Sequence, residues 1–400
     1  MPHGRSTRSG WLGACALALL AACGTPSPTT SPTPPDSETD AAQPPSTDDA
    51  STGITPPPDS GSPPPPTTDA APADAASDGP TTVADAGPPP TAAQAILQMQ
   101  RGLNIGNSLD APGGETSWGN PVIQDYYFDD LKAAGFTAVR IPVTWDQHVG
   151  QTAPYAIDAT FLTRVEQVLD WALSRGLYVL VNAHHESWLK TSTTPANIAR
   201  FAAIWTQLST RFMSKSDHLV FEILNEPNPM GQSDLDALNV QILGIMRQTN
   251  PTRLVVYAGT NYSGSAELEQ AKVPAAADPY LIANYHSYNP WSFVSGDQTV
   301  IWGSQSDKNA VGQEFDAVAQ FAASHHLALM LNEFGAGPNH DYNSRVAFFQ
   351  TYVADALSHG MAFFAWDDNG GFQTYVRQDP GSHVGGGQWN DDNIRNILTK

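Results

Sequence analysis

The sequence predicts one (β/α)8 TIM barrel, an α/β fold, preceded by a disordered linker rich in Pro, Thr and Asp. Over residues 93–400, eight short and nearly continuously apolar segments alternate with amphipathic ones, which is typical of parallel βαβ units. These roughly 308 residues are an ordinary length for a closed barrel. No G-x-G-x-x-G follows the first apolar segment, so the sequence does not favour a dinucleotide-binding open sheet.

Residues 1–23 are predicted to be a lipoprotein signal peptide. Arg5 and Arg8 precede an apolar run of about a dozen residues, as in secretory signals, and this run is too short to span a bilayer as a helix. The ending "LAAC" resembles the lipobox of bacterial lipoproteins, in which Cys23 becomes lipidated; an ordinary signal peptide is the alternative. Cys15 and Cys23 are the only cysteines, so the mature chain is expected to have no internal disulfide.

Residues 24–92 are predicted to be a disordered, acidic, Pro-rich linker. The segment contains runs of proline and many acidic residues, but no Lys or Arg. It has too few large apolar side chains to offset the entropy of ordering the chain. We interpret it as a tether that holds the predicted folded domain, residues 93–400, away from a membrane.

These features predict where the protein resides and what it contacts. We expect an exported monomer, lipid-anchored at the cell envelope through Cys23 or secreted, that contacts the membrane only through this anchor. Glycine, not aspartate, follows Cys23, which favours the outer membrane. The formal net charge of −21 argues against a nucleic-acid partner, which would require a basic face.

Eight strands are predicted from short, apolar and β-branched segments, each expected to be covered on both faces. In chain order they are "LNIGN" (103–107), "AVRIPV" (138–143), "YVLVNAHH" (178–185), "LVFEILNE" (219–226), "RLVVYAGT" (253–260), "LIANYHSY" (281–288), "LALMLNEFG" (327–335) and "MAFFAWDD" (361–368). Helices are predicted between them from apolar residues spaced three and four apart, most clearly over 161–176, 197–212 and 344–360.

Polar residues cluster at the carboxyl ends of these predicted strands. In a barrel, those ends converge on the one face where active sites are built. Residues that only cap strands would be mostly Ser, Asp, Asn and Gly, whereas this set is rich in Glu, His, Arg and Trp. The residues are Asn107, Arg140, His184, His185, Asn225, Glu226, His286, Tyr288, Glu333 and Trp366.

Two of these residues, Glu226 and Glu333, are predicted to be a catalytic pair. Two carboxyls facing each other across a barrel mouth are the minimum apparatus for glycoside hydrolysis. One must keep its proton while the other stays ionised, and Arg140 and Tyr288 could hold one of them as an anion. Strand alternation points Glu222 into the barrel, where we expect a buried partner and a structural role.

No metal or cofactor is predicted. His184 and His185 are adjacent on a predicted strand and would point to opposite faces, and no H-E-x-x-H occurs. A serine hydrolase would have a G-x-S-x-G elbow, which is missing. The rival from another class is a surface carbohydrate-binding lipoprotein without turnover. The presence of both glutamates argues against it.

The motifs resemble those of glycoside hydrolase family 5. The similar segments are "RGLNIGNSLDAP", "AVRIPV", "NAHHESW", "FEILNEPN", "YHSYNPW", "LNEFGA" and "FAWDD", and together they cover about residues 100–370. "LNEP" and "NEFG", with "YHSYNP" between them, form the most specific part of the pattern. The first-strand segment is similar to bacterial endoglucanase members of the family.

This resemblance implies a role for each matching residue. Glu226 would be the acid/base and Glu333 the nucleophile of a retaining double displacement. Asn225 would bind the sugar 2-hydroxyl, and Arg140 and Tyr288 would orient Glu333. The remaining matches would bind the sugar chain, with Trp366 as a platform beside the scissile bond and Asn107 and Asp110 on the non-reducing side of the cleft; the others are His184, His185 and His286.

The substrate predicted is a β-linked polysaccharide, with β-1,4-glucan favoured and mannan or glucomannan as the alternative. The fold alone does not decide the sugar. Five tryptophans fall in predicted loops, where their rings could stack on pyranose faces; collectively they favour an extended cleft. They are Trp118, Trp188, Trp291, Trp302 and Trp389.

Overall fold

A computed structural model describes residues 88–294 and 298–400. The predicted signal peptide, Cys23 and nearly all of the predicted linker lie outside the described residues. Among the residues that the structure covers, no helix combines the length and the apolar composition needed to cross a bilayer.

Eight parallel strands form a closed barrel in chain order, each hydrogen-bonded to its sequence neighbours, with β8 closing onto β1. The predicted barrel and all eight predicted strands are confirmed. Every strand ends before its predicted end, by four residues at β4. The strands are β1 (Arg101–Asn104), β2 (Ala138–Ile141), β3 (Tyr178–Asn182), β4 (Leu219–Glu222), β5 (Val255–Ala258), β6 (Leu281–His286), β7 (Ala328–Phe334) and β8 (Ala362–Ala365).

Helices connect the strands and cover the outside of the barrel. The long ones begin at side-chain caps in several cases, for example Asp158 accepting from Phe161 N at 2.7 Å. Short 3-10 turns cover Asp146–His148 and Pro380–Ser382. The helices are α1 (Ala92–Ile96), α2 (Tyr126–Ala134), α3 (Ala159–Ser174), α4 (Ser187–Lys190), α5 (Pro195–Arg211), α6 (Gln232–Thr249), α7 (Ser265–Leu268), α8 (Trp291–Val294), α9 (Gln305–Ser324), α10 (Tyr342–Ser358) and α11 (Asp392–Thr399).

The core has two layers because the strands are apolar on both faces. The larger layer lies between the strands and the helices. The smaller layer fills the amino-terminal end of the barrel, where α1 and Met99 pack against Leu180, Val220 and Phe364. Ala92 is buried and donates its N–H to Pro279 O, so the folded domain begins slightly before the predicted boundary at residue 93.

The segment after β8 is folded over the barrel. It contains a two-stranded antiparallel ribbon, β9 (Tyr375–Val376) and β10 (Gln388–Trp389). Asp367 is buried at the start of this segment. Its carboxylate accepts from the backbone N–H groups of Thr374 and Tyr375 and forms an ion pair with Arg377. These contacts fix the segment next to the carboxyl-terminal mouth of the barrel.

Candidate active site

Glu226 lies at the mouth of the barrel on a turn beyond the strand. Since β4 ends at Glu222, the two-residue alternation of the strand does not set its direction. Its backbone adopts a left-handed conformation, with φ of 42°, which is strained for a residue with a side chain and is typical of functional sites. The side chain is 27% exposed, and its Oε1 lies 3.0 Å from His286 Nδ1.

Glu333 lies within β7 and is almost completely buried. Arg140 Nη1 donates to its Oε1 at 2.7 Å, and the Tyr288 hydroxyl donates to its Oε2 at 3.0 Å. His286 Nδ1 lies 3.6 Å from Oε2. Both oxygens therefore accept hydrogen bonds from protein donors, an arrangement that favours the carboxylate form.

The two glutamates form a close pair. A carboxylate oxygen of each and a ring nitrogen of His286 lie within 4.8 Å of one another. Burial raises the pKa of Glu333, against the charges of His286 and Arg140. Burial also acts to raise the pKa of Glu226, but the hydrogen bond and charge of His286 prevail and lower it. Since each carboxylate disfavours ionisation of the other, the two titrate as a pair.

Arg140 lies below this pair in the barrel interior. It is fully buried and reaches Glu333 from inside the barrel, so it contacts this carboxylate and not the open cleft. Its Nε and Nη2 form a two-point ion pair with Glu222 at 2.6 and 2.7 Å. This pair overcomes the effect of burial and lowers the pKa of Glu222. The expected inward direction and buried partner of Glu222 are confirmed.

Asn225 is oriented by the same guanidinium. Arg140 Nη2 donates to Asn225 Oδ1 at 2.6 Å, and Asn225 N donates to Ala183 O at 2.9 Å. The amide group is thereby turned so that Nδ2 is left as a donor for a ligand.

Comparisons with known proteins identify the family to which this chain belongs. The family model "Cellulase (glycosyl hydrolase family 5)" matches residues 104–370. The chain belongs to glycosyl hydrolase family 5. Endoglucanase H of Acetivibrio thermocellus is 41% identical over 276 residues, which is 69% of this chain but only 30% of that protein. Endoglucanase B of Clostridium cellulovorans is 34% identical, over 70% of this chain and 68% of that protein.

Solved structures of family 5 enzymes have the same fold. An endoglucanase from the hyperthermophile Thermotoga maritima superposes with a TM-score of 0.71 at 30% identity, covering 77% of this chain and 99% of that one. A tri-modular endo-β-1,4-glucanase from Bacillus licheniformis, complexed with cellotetraose, gives 0.71 at 33% identity, covering 77% and 60%. The chain is therefore an endoglucanase-like member of the family.

The family 5 domain has an open cleft of about 860 Å³ above the glutamates. One half is formed by loops after β1, β3 and β8, which bring Asn107, Trp118, His184, His185 and Trp366 to its wall. Trp366 lies directly over Gly106, where a Cβ would come within 2.6 Å of the indole ring. A side chain at position 106 would therefore displace this ring.

The hydrogen bonds around His184 define its tautomer. Asn182 Oδ1 accepts from Val143 N at 3.1 Å, so Asn182 Nδ2 is the atom that faces His184 Nδ1, also at 3.1 Å. Nδ1 therefore accepts, and a neutral ring carries its proton on Nε2. Burial lowers the pKa of His184 well below its usual value, so the neutral ring is the relevant form.

Asp110 is not part of the cleft wall, contrary to the prediction that it binds substrate. It is fully buried, and its carboxylate accepts from the backbone N–H groups of Asn107 and Ser108 at 3.1 and 2.8 Å. Burial raises its pKa to about 6. Asp110 holds the loop that carries Asn107, whose backbone is left-handed with φ of 57°.

The expectation that His184 and His185 point to opposite faces of a strand is wrong. Because β3 ends at Asn182, His184 and His185 are not on a strand, and potential ligand atoms of both and of Asp110 lie within 4.8 Å of one another. Asn182 donates to Nδ1 of His184 and keeps the proton of the neutral ring on Nε2, so in this arrangement His184 has no free nitrogen lone pair for a metal.

The other half of the cleft is formed after β5 and β6 and was not predicted as a unit. Asn261, Tyr262 and Ser263 are consecutive left-handed residues, with φ of 50°, 62° and 58°, and this turn projects Tyr262 into the cleft. Trp291 lies on the same side, as anticipated for a loop tryptophan, and Tyr262 and Trp291 are 58% and 63% exposed. No sequence pattern distinguished this turn.

The five loop tryptophans separate into two groups. Trp118 and Trp291 line the cleft and are exposed, as the extended-cleft prediction requires. Trp188 packs beneath the Arg200 guanidinium, Trp302 is buried against Phe293, and Trp389 packs on Tyr375. These three stabilise loops instead.

Proposed function

We propose that this protein is a retaining endo-β-1,4-glucanase in which Glu333 is the nucleophile and Glu226 the acid/base. The observation that carries the proposal is the close Glu226–Glu333 pair in two different hydrogen-bond environments. An oxygen–oxygen separation within 4.8 Å fits retaining enzymes, whose carboxyl groups are about 5–5.5 Å apart, better than inverting ones at about 6.5–9.5 Å.

We assign the proton of the pair to Glu226 on the hydrogen-bond pattern. Both oxygens of Glu333 already accept bonds from Arg140 and Tyr288, so a proton there would displace a donor. Among the described residues, Glu226 has a hydrogen-bond partner only at Oε1, which is His286, and this leaves Oε2 for a proton. In the open cleft the pKa of Glu226 is lowered and that of Glu333 is raised. Bound substrate excludes water from Glu226, which is still partly exposed, and this raises the pKa of Glu226, whereas Glu333 is already buried.

In the first step, a Glu333 oxygen attacks the anomeric carbon and Glu226 gives its proton to the departing glycosidic oxygen. This breaks the glycosidic bond and forms a glycosyl ester on Glu333. In the second step, Glu226 takes a proton from water, whose oxygen attacks the anomeric carbon. The ester bond breaks, the sugar leaves with retained configuration, and both glutamates return to their starting states.

The surrounding residues support binding of a polysaccharide chain. Asn225 Nδ2 can donate to a 2-hydroxyl, His184 Nε2–H to another hydroxyl, and Trp366 offers a ring face beside Gly106. The cleft is open and has exposed aromatic rings at both ends, at Trp118 and Trp291. An open cleft of this kind suits attack within a long chain.

The similar proteins described above are endoglucanases, which favours glucan as the substrate, and a mannan-containing polysaccharide is the second candidate. The Thermotoga maritima structures include complexes with cellobiose and with mannotriose. Because glucose and mannose differ only in the orientation of the 2-hydroxyl, a mannanase function would differ from a glucanase function at the contacts to that hydroxyl.

The deciding experiment is reducing-sugar release by the full chain from barley β-glucan, glucomannan and mannan, beside Glu226→Gln and Glu333→Gln. We expect release from β-glucan by the wild type, strong loss in both variants, and β-anomeric products first by NMR. An initial α-anomer would contradict the retaining mechanism. Binding without release by a folded wild type would favour the carbohydrate-binding alternative.

We propose separately that Cys23 is lipidated and tethers the domain to the envelope. The support is the signal-like segment and its "LAAC" ending. Labelled palmitate should be incorporated by the wild type in a bacterial host and not by Cys23→Ala. Equal incorporation by both would contradict the anchor.

A further inference from the structure

The half of the cleft formed after β5 and β6 carries negative charge that the catalytic steps do not use. Glu267, on α7, and Glu314, on α9, line the cleft together with Glu226 and Glu333. Among the described residues that line this cleft there is no lysine or arginine. A chain passing through therefore meets four carboxyl groups and no permanent cation.

Neither additional carboxylate is neutralised by an ion pair within residues 88–294 and 298–400. Glu267 Oε1 accepts only from Asn261 Nδ2, at 2.9 Å, and Glu314 Oε2 accepts from Asn289 Nδ2, also at 2.9 Å. Glu314 Oε1 is buried without a hydrogen-bond partner. Amide donors orient a carboxylate without cancelling its charge, and both residues are only partly buried at the cleft, so their charges act through water and dissolved salt can screen them.

The position of these groups identifies the part of the substrate that they face. Glu226 is proposed to protonate the leaving oxygen, so the leaving sugars lie on its side of the cleft. That side is formed by the turn at Asn261 to Ser263, by α7 and by Trp291. Tyr262 and Trp291 offer apolar ring faces there, while Glu267 and Glu314 supply the local electric field.

We propose that Glu267 and Glu314 make the leaving-group half of the cleft selective against polysaccharides that carry anionic substituents, and favour uncharged β-glucan chains. This inference rests on the proposed glucanase function. A carboxymethyl or uronate group there is repelled, an uncharged substituent of similar size is not, and a quaternary ammonium substituent is attracted.

The test uses three soluble celluloses with the same degree of substitution: hydroxyethyl, carboxymethyl and quaternary-ammonium cellulose. For each form of the full-length protein, the initial rate on the charged polymer is divided by the rate on hydroxyethyl-cellulose. This ratio is independent of the fraction of folded enzyme. Glu267→Gln and Glu314→Gln are compared with Glu269→Gln, which removes an exposed charge one residue beyond Leu268 and outside the cleft lining.

At low salt we expect the rate on carboxymethyl-cellulose, relative to hydroxyethyl-cellulose, to rise about two- to threefold in Glu267→Gln and in Glu314→Gln. This is the effect expected for removing a like charge several ångströms away in a water-filled cleft. The relative rate on quaternary-ammonium cellulose should fall by a similar factor. Glu269→Gln should leave both relative rates unchanged. Raising the salt to about 0.5 M should bring the wild-type ratio towards that of the variants.

Ratios that are insensitive to both cleft substitutions, or changed equally by Glu269→Gln, would overturn the charge selectivity while leaving the glucanase function in place. If the wild type hydrolysed none of the three celluloses and no barley β-glucan, the proposed function itself would fail. The two failures are therefore distinguishable in one set of measurements.

Discussion

Arg140 connects Glu222 and Glu333 through one fully buried guanidinium. Two of its nitrogens bind Glu222, at 2.6 and 2.7 Å, and the third binds Glu333 at 2.7 Å. One cation thus serves two carboxylates, and the floor of the site remains negatively charged beneath Glu226. Glu222 never reaches the cleft, yet it positions the group that holds the proposed nucleophile.

Replacing Glu222 by alanine should therefore destabilise the domain strongly. The change leaves Arg140 with one carboxylate in place of two and removes the acceptor of Asn182 and Asn332. Removing one partner of a buried pair typically costs about 3–5 kcal/mol. Urea unfolding should show this loss, whereas the exposed Glu269→Ala should stay close to the wild type. A change below about 1 kcal/mol at Glu222 would contradict the role.

Glu226→Gln should lower activity by an amount that depends on the leaving group of the substrate. On barley β-glucan we expect a loss of about 10²–10⁴-fold, as for removal of a general acid. An aryl cellobioside whose phenolate leaves without protonation should form the glycosyl ester nearly as fast as with the wild type. A burst of phenolate would show this. Glu333→Gln, which lacks the nucleophile, should give no burst, and a burst there would exclude the assignment.

Tyr288→Phe should shift the acidic side of the pH profile upwards. Burial, followed by the charge of Glu333, raises the pKa of Tyr288 well above its usual value, so the hydroxyl stays a donor throughout. The bond favours ionised Glu333; without it the pKa of Glu333 rises and activity is lost at a higher pH. Since hydrogen bonds to charged groups contribute about 1.5–3 kcal/mol, kcat should fall about 10- to 100-fold. Profiles of kcat/KM would test the shift.

Gly106→Ala should impair activity by displacing Trp366. The added Cβ would come within 2.6 Å of the ring and 3.1 Å of Asp367 O, and close contacts of this kind cost about 1–3 kcal/mol or more. We expect a higher KM for β-glucan at little change in helical content. Gly244→Ala in α6 is the matched control, because nothing lies within 4 Å of its Cβ position. Equal kinetics for both variants would contradict the platform role.

Glu186 should make stability depend on pH. Burial raises its pKa to about 7 from 4.5, so the folded state binds the proton more tightly than the unfolded chain. The stabilisation of the folded state by this proton is fully present below about pH 4.5. It is lost as the pH rises through about 7. Glu186→Gln should therefore flatten the decline in unfolding free energy over that window by about 1–3 kcal/mol. An unchanged slope would contradict the shift.

Much of the fold and the centre of the site could be predicted from local patterns. The eight apolar segments were found in order because both faces of each strand are covered. Glu226 and Glu333 were recognisable because a carboxylate after such a segment has few structural reasons to be there. Glu267 and Glu314 could not be recognised, since one lies on a short helix after a turn and the other in the middle of a long helix.

The sequence by itself determined the barrel, the order of its strands and the candidate pair Glu226 and Glu333, because these depend on the pattern of nearby residues. Only the tertiary structure decided which polar residues meet the cleft. Asp110 turned out to be a buried support, whereas Tyr262 reaches the cleft. The physical reason is that every strand ends early, and beyond its end left-handed turns such as those at Asn107 and Glu226 direct each side chain. Alternation along a strand no longer applies there, so packing between loops sets the direction.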